Sequence, residues 1–155
     1  LLLSLFAPLL APYPPLEQHV QDRLQAPNAR YLLGTDELGR DVLSRVLYGG
    51  RITIPAGLAV ILIDGVLGWL IGAAAGFLGG VWDELMMRLT ELFMAFPTII
   101  LAMAVTAALG PSIQNAVIAL VIVRWPNYAR LTRGLVLEAK PTEYVDAAPG
   151  LGASG

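Results

Sequence analysis

Asp64 is the residue whose position in the sequence most clearly offers chemistry. It is the one charged group in the apolar stretch from Ile52 to Phe77. A carboxylate placed in hydrocarbon costs about 2.5–3.5 kcal/mol on membrane-insertion scales, so its side chain is expected to face protein or a water-filled path. Three roles fit this position: lining of a pathway through a membrane, a proton-binding site, and a hydrogen bond to a neighbouring helix.

A ladder of glycines follows Asp64 along the same stretch. Its members stand four positions apart: Gly68, Gly72, Gly76 and Gly80. Because residues four apart share a helix face, the ladder lies on the face of Asp64. Small residues let a second helix approach closely in a membrane, so this face is predicted to pack against another helix. Alternatively, the glycines only fill a helix that faces lipid.

A second set of residues, near the end of the sequence, is suited to binding rather than to catalysis. Glu143 and Asp146 stand three apart and share a helix face. Ala147 and Ala148 keep the surface slim, and Gly152 can supply a turn. Such a segment can form a short helix that docks into a groove of a partner protein, or it can be a plain polar loop.

The familiar residue patterns of catalysis do not occur in this sequence. With no cysteine and a single histidine, His19, it offers no Ser/His/Asp or Cys/His set and no disulfide. It has no G-x-x-x-x-G-K-S/T segment to cradle the phosphates of a nucleotide. His19 has no Cys or His partner for a metal, and we interpret it as a loop residue. We therefore predict no enzymatic activity, no cofactor and no metal site.

The composition indicates a membrane protein. Of the 155 residues, 56% are hydrophobic and only 14% are charged, whereas soluble domains carry roughly 25% charged residues. A short soluble chain needs a polar surface that this composition does not supply. The formal net charge of -2 gives no basic field for nucleic acid.

Prolines and polar residues divide the first third of the chain. Leu1 to Ala11 is apolar but too short to cross a bilayer, and we interpret residues 1–12 as the end of a first transmembrane helix. Residues 13–51 are predicted to form a loop with one amphipathic helix, Leu38 to Leu47, on the surface or in the membrane interface. The Gly-Gly pair at positions 49 and 50 is expected to end that helix.

Residues 52–155 are predicted to form a partial transmembrane domain with three spans. The spans are Ile52 to Phe77, Leu92 to Leu109, and Ile113 to about Leu131, with a polar joint at Trp82 to Glu91. The predicted fold class is therefore all-α, a polytopic bundle of transmembrane helices. Basic residues are shared evenly between the two sides, so charge does not fix the orientation.

The longest pattern in the sequence is YLLGTDELGRDVLSRVLYGGRI, from Tyr31 to Ile52. It resembles the signature segment of the dipeptide/oligopeptide/nickel group of ABC importer permeases. Further segments are similar in the order that the family has them: AFP from Ala95, LGPS from Leu109, WPNYARLTRG from Trp125 and EYVDAA from Glu143. The resemblance covers nearly the whole chain.

The resemblance implies a six-helix permease of the type I importer kind, truncated here at both ends. The chain would hold the end of helix 1, helices 2 to 4 and the start of a coupling loop. The GTDELGRD segment would be extracytoplasmic, and residues from Arg130 onward would be cytoplasmic, in a bacterial or archaeal cell membrane. The coupling loop would comprise Glu143, Tyr144, Asp146, Ala147, Ala148 and Gly152.

The resemblance also implies partners and a function. The partners would be ABC ATPase subunits that bind ATP, a second homologous permease subunit, an extracytoplasmic solute-binding protein and membrane lipid. The function would be import of peptides or of nickel and other metal chelates. The sequence departs from the family pattern at Asp64, which stands at a usually apolar position, and at Pro149 and Gly150, which fall where the family usually has helix-compatible residues. Two alternatives stay open: an independent channel or proton-coupled carrier that uses Asp64, and a truncated permease without function.

Overall fold

The computed structural model of the chain describes residues 2–142, 145 and 147. Its helices are Leu2–Leu5 (α1), Ala7–Leu10 (α2), Val42–Leu78 (α3), Gly80–Met94 (α4), Thr98–Leu109 (α5) and Ile113–Ala139 (α6), with a 3-10 turn at Val20–Asp22. No strand element occurs among these residues, and the all-α prediction is confirmed. The chain forms two compact units, one up to Leu58 and one from Ala59 onward. The predicted boundary at residue 51 falls inside α3.

The apolar stretch at the start of the chain forms two short helices rather than one continuous helix. Phe6 separates α1 from α2, and its backbone has φ -89° and ψ 15°. Pro8 lies in the first turn of α2. A proline ring collides with the carbonyl group four residues earlier when a helix continues through it, so the helix is interrupted there.

The segment from Gly34 to Asp41 folds into a tight turn that begins α3. Oδ2 of Asp41 accepts hydrogen bonds from the backbone amide of Ser44 at 2.8 Å and from its hydroxyl at 2.6 Å. This contact satisfies a backbone amide in the first turn of α3, as a helix cap does. Gly39 has a φ of 71°, and a Cβ there would lie 1.8 Å from the carbonyl oxygen of His19. Glycine is therefore required at this turn.

The carboxylate of Asp36 holds the same turn together. It accepts hydrogen bonds from the backbone amides of Leu38 at 2.8 Å and Arg40 at 3.0 Å, and from Arg40 Nε at 2.7 Å. The guanidinium of Arg45 donates to it as well. Burial raises the pKa of the Asp36 carboxyl, but the hydrogen bonds from Arg40 and Leu38 outweigh burial and hold that pKa at about 2.

α3 is a single helix of 37 residues. The prediction that the glycines at positions 49 and 50 end a separate helix is wrong. A glycine costs about 1 kcal/mol in a helix interior, and the cap at Asp41 together with the apolar sequence on both sides offsets that cost. Gly50 serves a close approach instead, because a Cβ there would lie 2.2 Å from Oγ of Ser4.

The predicted second span is divided between two helices. The predicted polar joint, Trp82 to Glu91, is part of α4, which ends at Met94. α5 begins at Thr98, and the two helix axes differ by 87°. Pro97 stands directly before α5. Because proline disfavours helical backbone in the residue that precedes it, the chain turns at this point.

The helices differ in how far they suit a membrane. Among the described residues, α3 is the one helix that is by itself long and apolar enough to cross a bilayer. α4 and α5 meet the same criterion only as a bent pair. α6 extends beyond the predicted third span and carries Pro126 in its interior. Through its arginines at positions 124, 130 and 133, α6 contacts other helices of the second unit.

Candidate functional site

The glycine ladder of α3 packs against α6. A Cβ added at Gly68 would lie 2.3 Å from the Cβ of Tyr128. At Gly72 the nearest atom would be the carbonyl oxygen of Ala129, at 2.2 Å, and at Gly76 it would be a side-chain carbon of α6, at 2.9 Å. A side chain would not fit at any of these positions, so the backbone of α3 lies directly against α6. The contacts advance together along both helices, which therefore run parallel.

Gly80 departs from the predicted ladder. It lies in α4, beyond the end of α3, and its φ is 58°. A Cβ added there would meet nothing within 4 Å. Gly79, which precedes it, has a φ of 64°. The two glycines therefore supply the sharp turn between α3 and α4, and Gly80 takes no part in the packing of α3 on α6.

Asp64 faces α6 from the N-terminal end of this glycine contact. Its side chain is fully buried, and its Oδ2 lies 3.4 Å from Nε of Arg124, whose side chain is 45% exposed. Neither carboxylate oxygen has a hydrogen-bond partner among the described residues. Of the three roles predicted for Asp64, the geometry comes nearest to a polar contact with a neighbouring helix. In this conformation the contact is an ion pair rather than a hydrogen bond, and the carboxylate is closed off from solvent.

The C-terminal half of α6 is held to its neighbours by closer polar contacts. Arg133 donates from Nε and Nη2 to the two carboxylate oxygens of Asp83 in α4, at 2.5 and 2.6 Å. Lys140 Nζ donates to the carbonyl oxygen of Phe77 at 3.0 Å, where the last turn of α3 has free carbonyl groups. A bidentate contact between arginine and carboxylate fixes orientation as well as position. This end of α6 is therefore tied to both α3 and α4.

The sequence alone did not reveal these pairs between helices. It did indicate that Asp64 needs a partner, because an ionisable group inside a membrane usually has one. Arg124, a cation within a predicted span, was the signal that could have identified this partner. By contrast, Glu84 and Arg88 stand four apart on one helix, and their contact at 2.8 Å is of the kind that spacing does indicate.

His19 and the acidic residues gather no metal site in the described part of the chain. His19 lies in the loop of the first unit, with Nε2 at 3.3 Å from a carboxylate oxygen of Glu17. Within the same part of the chain, no group of three or more His, Asp or Glu side chains is placed to hold a metal ion.

The predicted coupling loop falls largely outside the described residues. This applies to Glu143, Tyr144, Asp146, Ala148 and Gly152. Ala147 is described and is helical and exposed. Closer to α6, the backbone amide of Val145 donates to the carbonyl oxygen of Thr142 at 2.9 Å. The loop therefore begins directly after the end of α6 that Asp83 and Phe77 hold.

Large apolar side chains are exposed along all the long helices of the second unit. Examples are Ile61 and Trp69 in α3, Leu92 in α4, Ile99 in α5 and Leu131 in α6. Such surfaces are expected where helices face lipid or other membrane helices rather than water. Together with the close helix packing at the glycines and the charge pairs between helices, they are typical of a helical membrane protein.

The comparison with known families is specific. Residues 66–155 match the family described as "Binding-protein-dependent transport system inner membrane component". The match covers more than half of the chain, and the chain belongs to this family. Members of the family are, by that description, inner-membrane parts of transport systems.

Curated relatives are similar over nearly the whole chain. The probable D,D-dipeptide transport system permease protein DdpC of Escherichia coli is 46% identical over 99% of it. The dipeptide transport system permease protein DppC of Haemophilus influenzae is 39% identical over 98%, and the di/tripeptide transport system permease protein DppC of Pseudomonas aeruginosa is 44% identical over 97%. The chain covers 52%, 54% and 52% of these proteins, so it spans about half the length of the curated relatives it matches. All three are named as transport permeases, which confirms the predicted family and the prediction that the chain is not an enzyme.

Proposed function

We propose that this chain forms part of the permease of an ABC importer that carries peptides. The observation that carries this proposal is the similarity, over nearly the whole chain, to permeases named for dipeptides and tripeptides. Those names favour peptides over the alternative of nickel or another metal chelate. The partners would be ATPase subunits that bind ATP, a second homologous permease subunit and an extracytoplasmic solute-binding protein, all assembled in the cell membrane.

The segment from Glu143 to Gly152 would receive the motion of the ATPase. Two contacts support this part of the proposal, because both hold the end of α6 from which the segment continues. Arg133 donates a hydrogen bond to Asp83 in α4, and Lys140 donates one to the carbonyl oxygen of Phe77 at the end of α3. A push on the segment would therefore reach α3 and α4 as well as the C-terminal half of α6. Such a rigid transfer is what a coupling element requires.

A chimeric permease tests the transport function. Residues 1–155 would replace the matching part of the Haemophilus influenzae dipeptide permease, in cells that lack that subunit. We expect the chimera to restore uptake of a radiolabelled dipeptide, and uptake should stop when the ATPase subunits are deleted. A chimera that assembles with the ATPase but carries no dipeptide would contradict the proposed substrate. Uptake that persists without the ATPase would instead support an independent or proton-coupled carrier.

Site-directed cross-linking in the same chimera tests the coupling segment. The chain contains no cysteine, so a cysteine introduced at one position reports on that position once the native cysteines of the grafted part are removed. Ala147→Cys, at an exposed helical position, is expected to cross-link to the ATPase. Leu16→Cys is the matched control, because Leu16 is 76% exposed and belongs to the segment predicted to be extracytoplasmic. Equal cross-linking at both positions would contradict the proposed coupling role.

A further inference from the structure

The polar contacts between α6 and its neighbours are graded along the helix. At the C-terminal end, Arg133 makes two short hydrogen bonds to Asp83, and Lys140 makes one to the end of α3. Further towards the N-terminus, Arg124 approaches Asp64 only to 3.4 Å. Neither oxygen of Asp64 receives a hydrogen bond from any described residue. One end of the interface is therefore firmly held, and the other is held by charge alone.

The weak contact is also asymmetric. Asp64 is fully buried, whereas the side chain of Arg124 is 45% exposed. A buried carboxylate without hydrogen bonds is poorly compensated by a single distant cation. If the helices separate at this point, Asp64 gains access to water, and Arg124, already half exposed, loses little. Separation is therefore less costly here than at Asp83, whose two hydrogen bonds would both be lost.

α6 contains a proline between the two ends. Pro126 lies two residues after Arg124, inside the helix. Proline has no amide hydrogen, so the helix lacks one hydrogen bond there, and its two halves can change their angle at low cost. The held contact at Arg133 and the weak contact at Arg124 lie on opposite sides of this proline.

The N-terminal half of α6 also has space beside it. A cavity of about 500 Å³ lies between α5 and α6. From α6 it is lined by Ala116 and Leu120, and from α5 by side chains that include Met103 and Thr106. All the residues of α6 that line it precede Pro126. Side chains of α5 and α6 therefore do not fill the space beside Ala116 and Leu120.

We propose that the Asp64–Arg124 pair is the point at which α3 and α6 separate when this protein changes conformation. α6 bends at Pro126, its N-terminal half moves away from α3, and its C-terminal half stays with Asp83 and Phe77. The pair is closed in the present structure and opens by exchanging a charge contact for hydration of both groups. This role depends neither on the transported substrate nor on the identity of the ATPase.

Distances between spin labels test this proposal in the full chain, reconstituted into lipid vesicles. Cysteines at exposed positions would carry the labels, Ile61 with Leu120 for the N-terminal end and Leu78 with Leu137 for the C-terminal end. We expect Arg124→Gln, which leaves the buried carboxylate of Asp64 without its counter-charge, to add a population in which the first distance is longer, by about 5 Å or one helical turn. The second distance should not change. Helix content by circular dichroism should stay the same, because only this end of the interface between α3 and α6 opens.

Two further variants keep the outcome decisive. Asp83→Asn is the matched control and should lengthen the second distance but not the first. Asp64→Glu brings the carboxylate closer to Arg124 and should narrow the first distance distribution. This variant decides the question if Arg124→Gln does not fold. The proposal is overturned if the first distance is the same in Arg124→Gln, or in Asp64→Glu where that variant decides. It is also overturned if both distances lengthen together in Arg124→Gln.

Discussion

Asp36 and Asp64 are both aspartates with an arginine nearby, yet they lie in opposite kinds of environment. Asp36, in the first unit, accepts two backbone amides and one arginine nitrogen at 2.7–3.0 Å, with a second arginine beside it. Asp64, in the second unit, has no hydrogen-bond partner in the described part of the chain and one arginine at 3.4 Å. The first carboxylate is fixed in place, and the second is only attracted to its partner.

The two regions therefore gain stability by different means. In the first unit, a polar turn saturated with hydrogen bonds fixes the start of α3. In the second unit, α3 and α6 meet through glycines, and polar contacts are few and unequal. A saturated turn favours one conformation, whereas an interface of close but largely apolar contacts can part where its polar contacts are weakest. The segment that resembles the family's signature therefore contains a structural turn, whereas the separation that we propose lies between α3 and α6.

The largest expected effect concerns Asp64, the carboxylate with the weaker contacts. Arg124→Gln leaves Asp64 buried without a counter-charge, and we expect it to lower the free energy of unfolding by about 3 kcal/mol. Asp64→Asn should cost less, because the arginine left behind is half exposed and stays hydrated. Unfolding in mixed detergent micelles with increasing dodecyl sulfate measures both values. Equal losses in the two variants would show that burial of Asp64 does not govern this contact.

Substitution of a glycine in the contact between α3 and α6 is expected to lower the free energy of unfolding nearly as much. Gly72→Leu places a side chain where a Cβ alone would lie 2.2 Å from a backbone oxygen of α6. We expect a loss of about 2–3 kcal/mol, because the backbone of α6 cannot yield without moving the helix. Gly65→Leu is the control in the same helix, since nothing lies within 4 Å of a Cβ there. The same unfolding measurement applies, and equal losses at both positions would rule out close packing at Gly72.

The contribution of Asp36, the carboxylate with more hydrogen bonds, to stability is expected to depend on pH. Asp36→Asn should cost about 2 kcal/mol at neutral pH, because hydrogen bonds to a charged acceptor weaken. The pKa of Asp36 is lowered in the folded chain from 3.8 to about 2. Its charged form therefore stabilises the turn above about pH 4, and that contribution is lost as the pH falls through about 2.

Unfolding at neutral pH and at low pH measures this dependence. The difference between the Asp36→Asn variant and the unchanged chain should shrink as the medium is acidified towards the pKa of Asp36. Glu37→Gln is the matched control, because Glu37 is the next residue and is exposed. A difference that stays constant with pH would mean that the charge of Asp36 does not hold the turn.

The smallest expected effect concerns an exposed charge pair in α4. Arg88 contacts Glu84 at 2.8 Å, but the two side chains are 72% and 63% exposed. Water screens such a pair, so Arg88→Ala should change the free energy of unfolding by less than about 0.5 kcal/mol. A loss as large as that of Asp36→Asn would break the distinction between enclosed and exposed charges on which the comparison depends.

Local signals in the sequence were sufficient for the class of protein. Apolar content and the length of the apolar stretches indicated a helical membrane protein, because these quantities depend only on neighbouring residues. The segment from Tyr31 to Ile52 indicated the family, and the family match and the relatives agree. The spacing of Gly68, Gly72 and Gly76 indicated a close helix contact, since a period of four places residues on one face whatever the partner is.

Tertiary structure decided where helices end and which charges meet. Position alone did not reveal that α3 continues through Gly49 and Gly50, or that Gly80 turns the chain rather than packs. Ser4 lies opposite Gly50, whereas nothing lies within 4 Å of a Cβ added at Gly80. In the same way, Asp64 was recognisable as a carboxylate that needs a partner, but only the packing of α3 on α6 selects Arg124. Propensity and period act over a few residues, whereas the partner of a buried charge is set by which helices lie side by side.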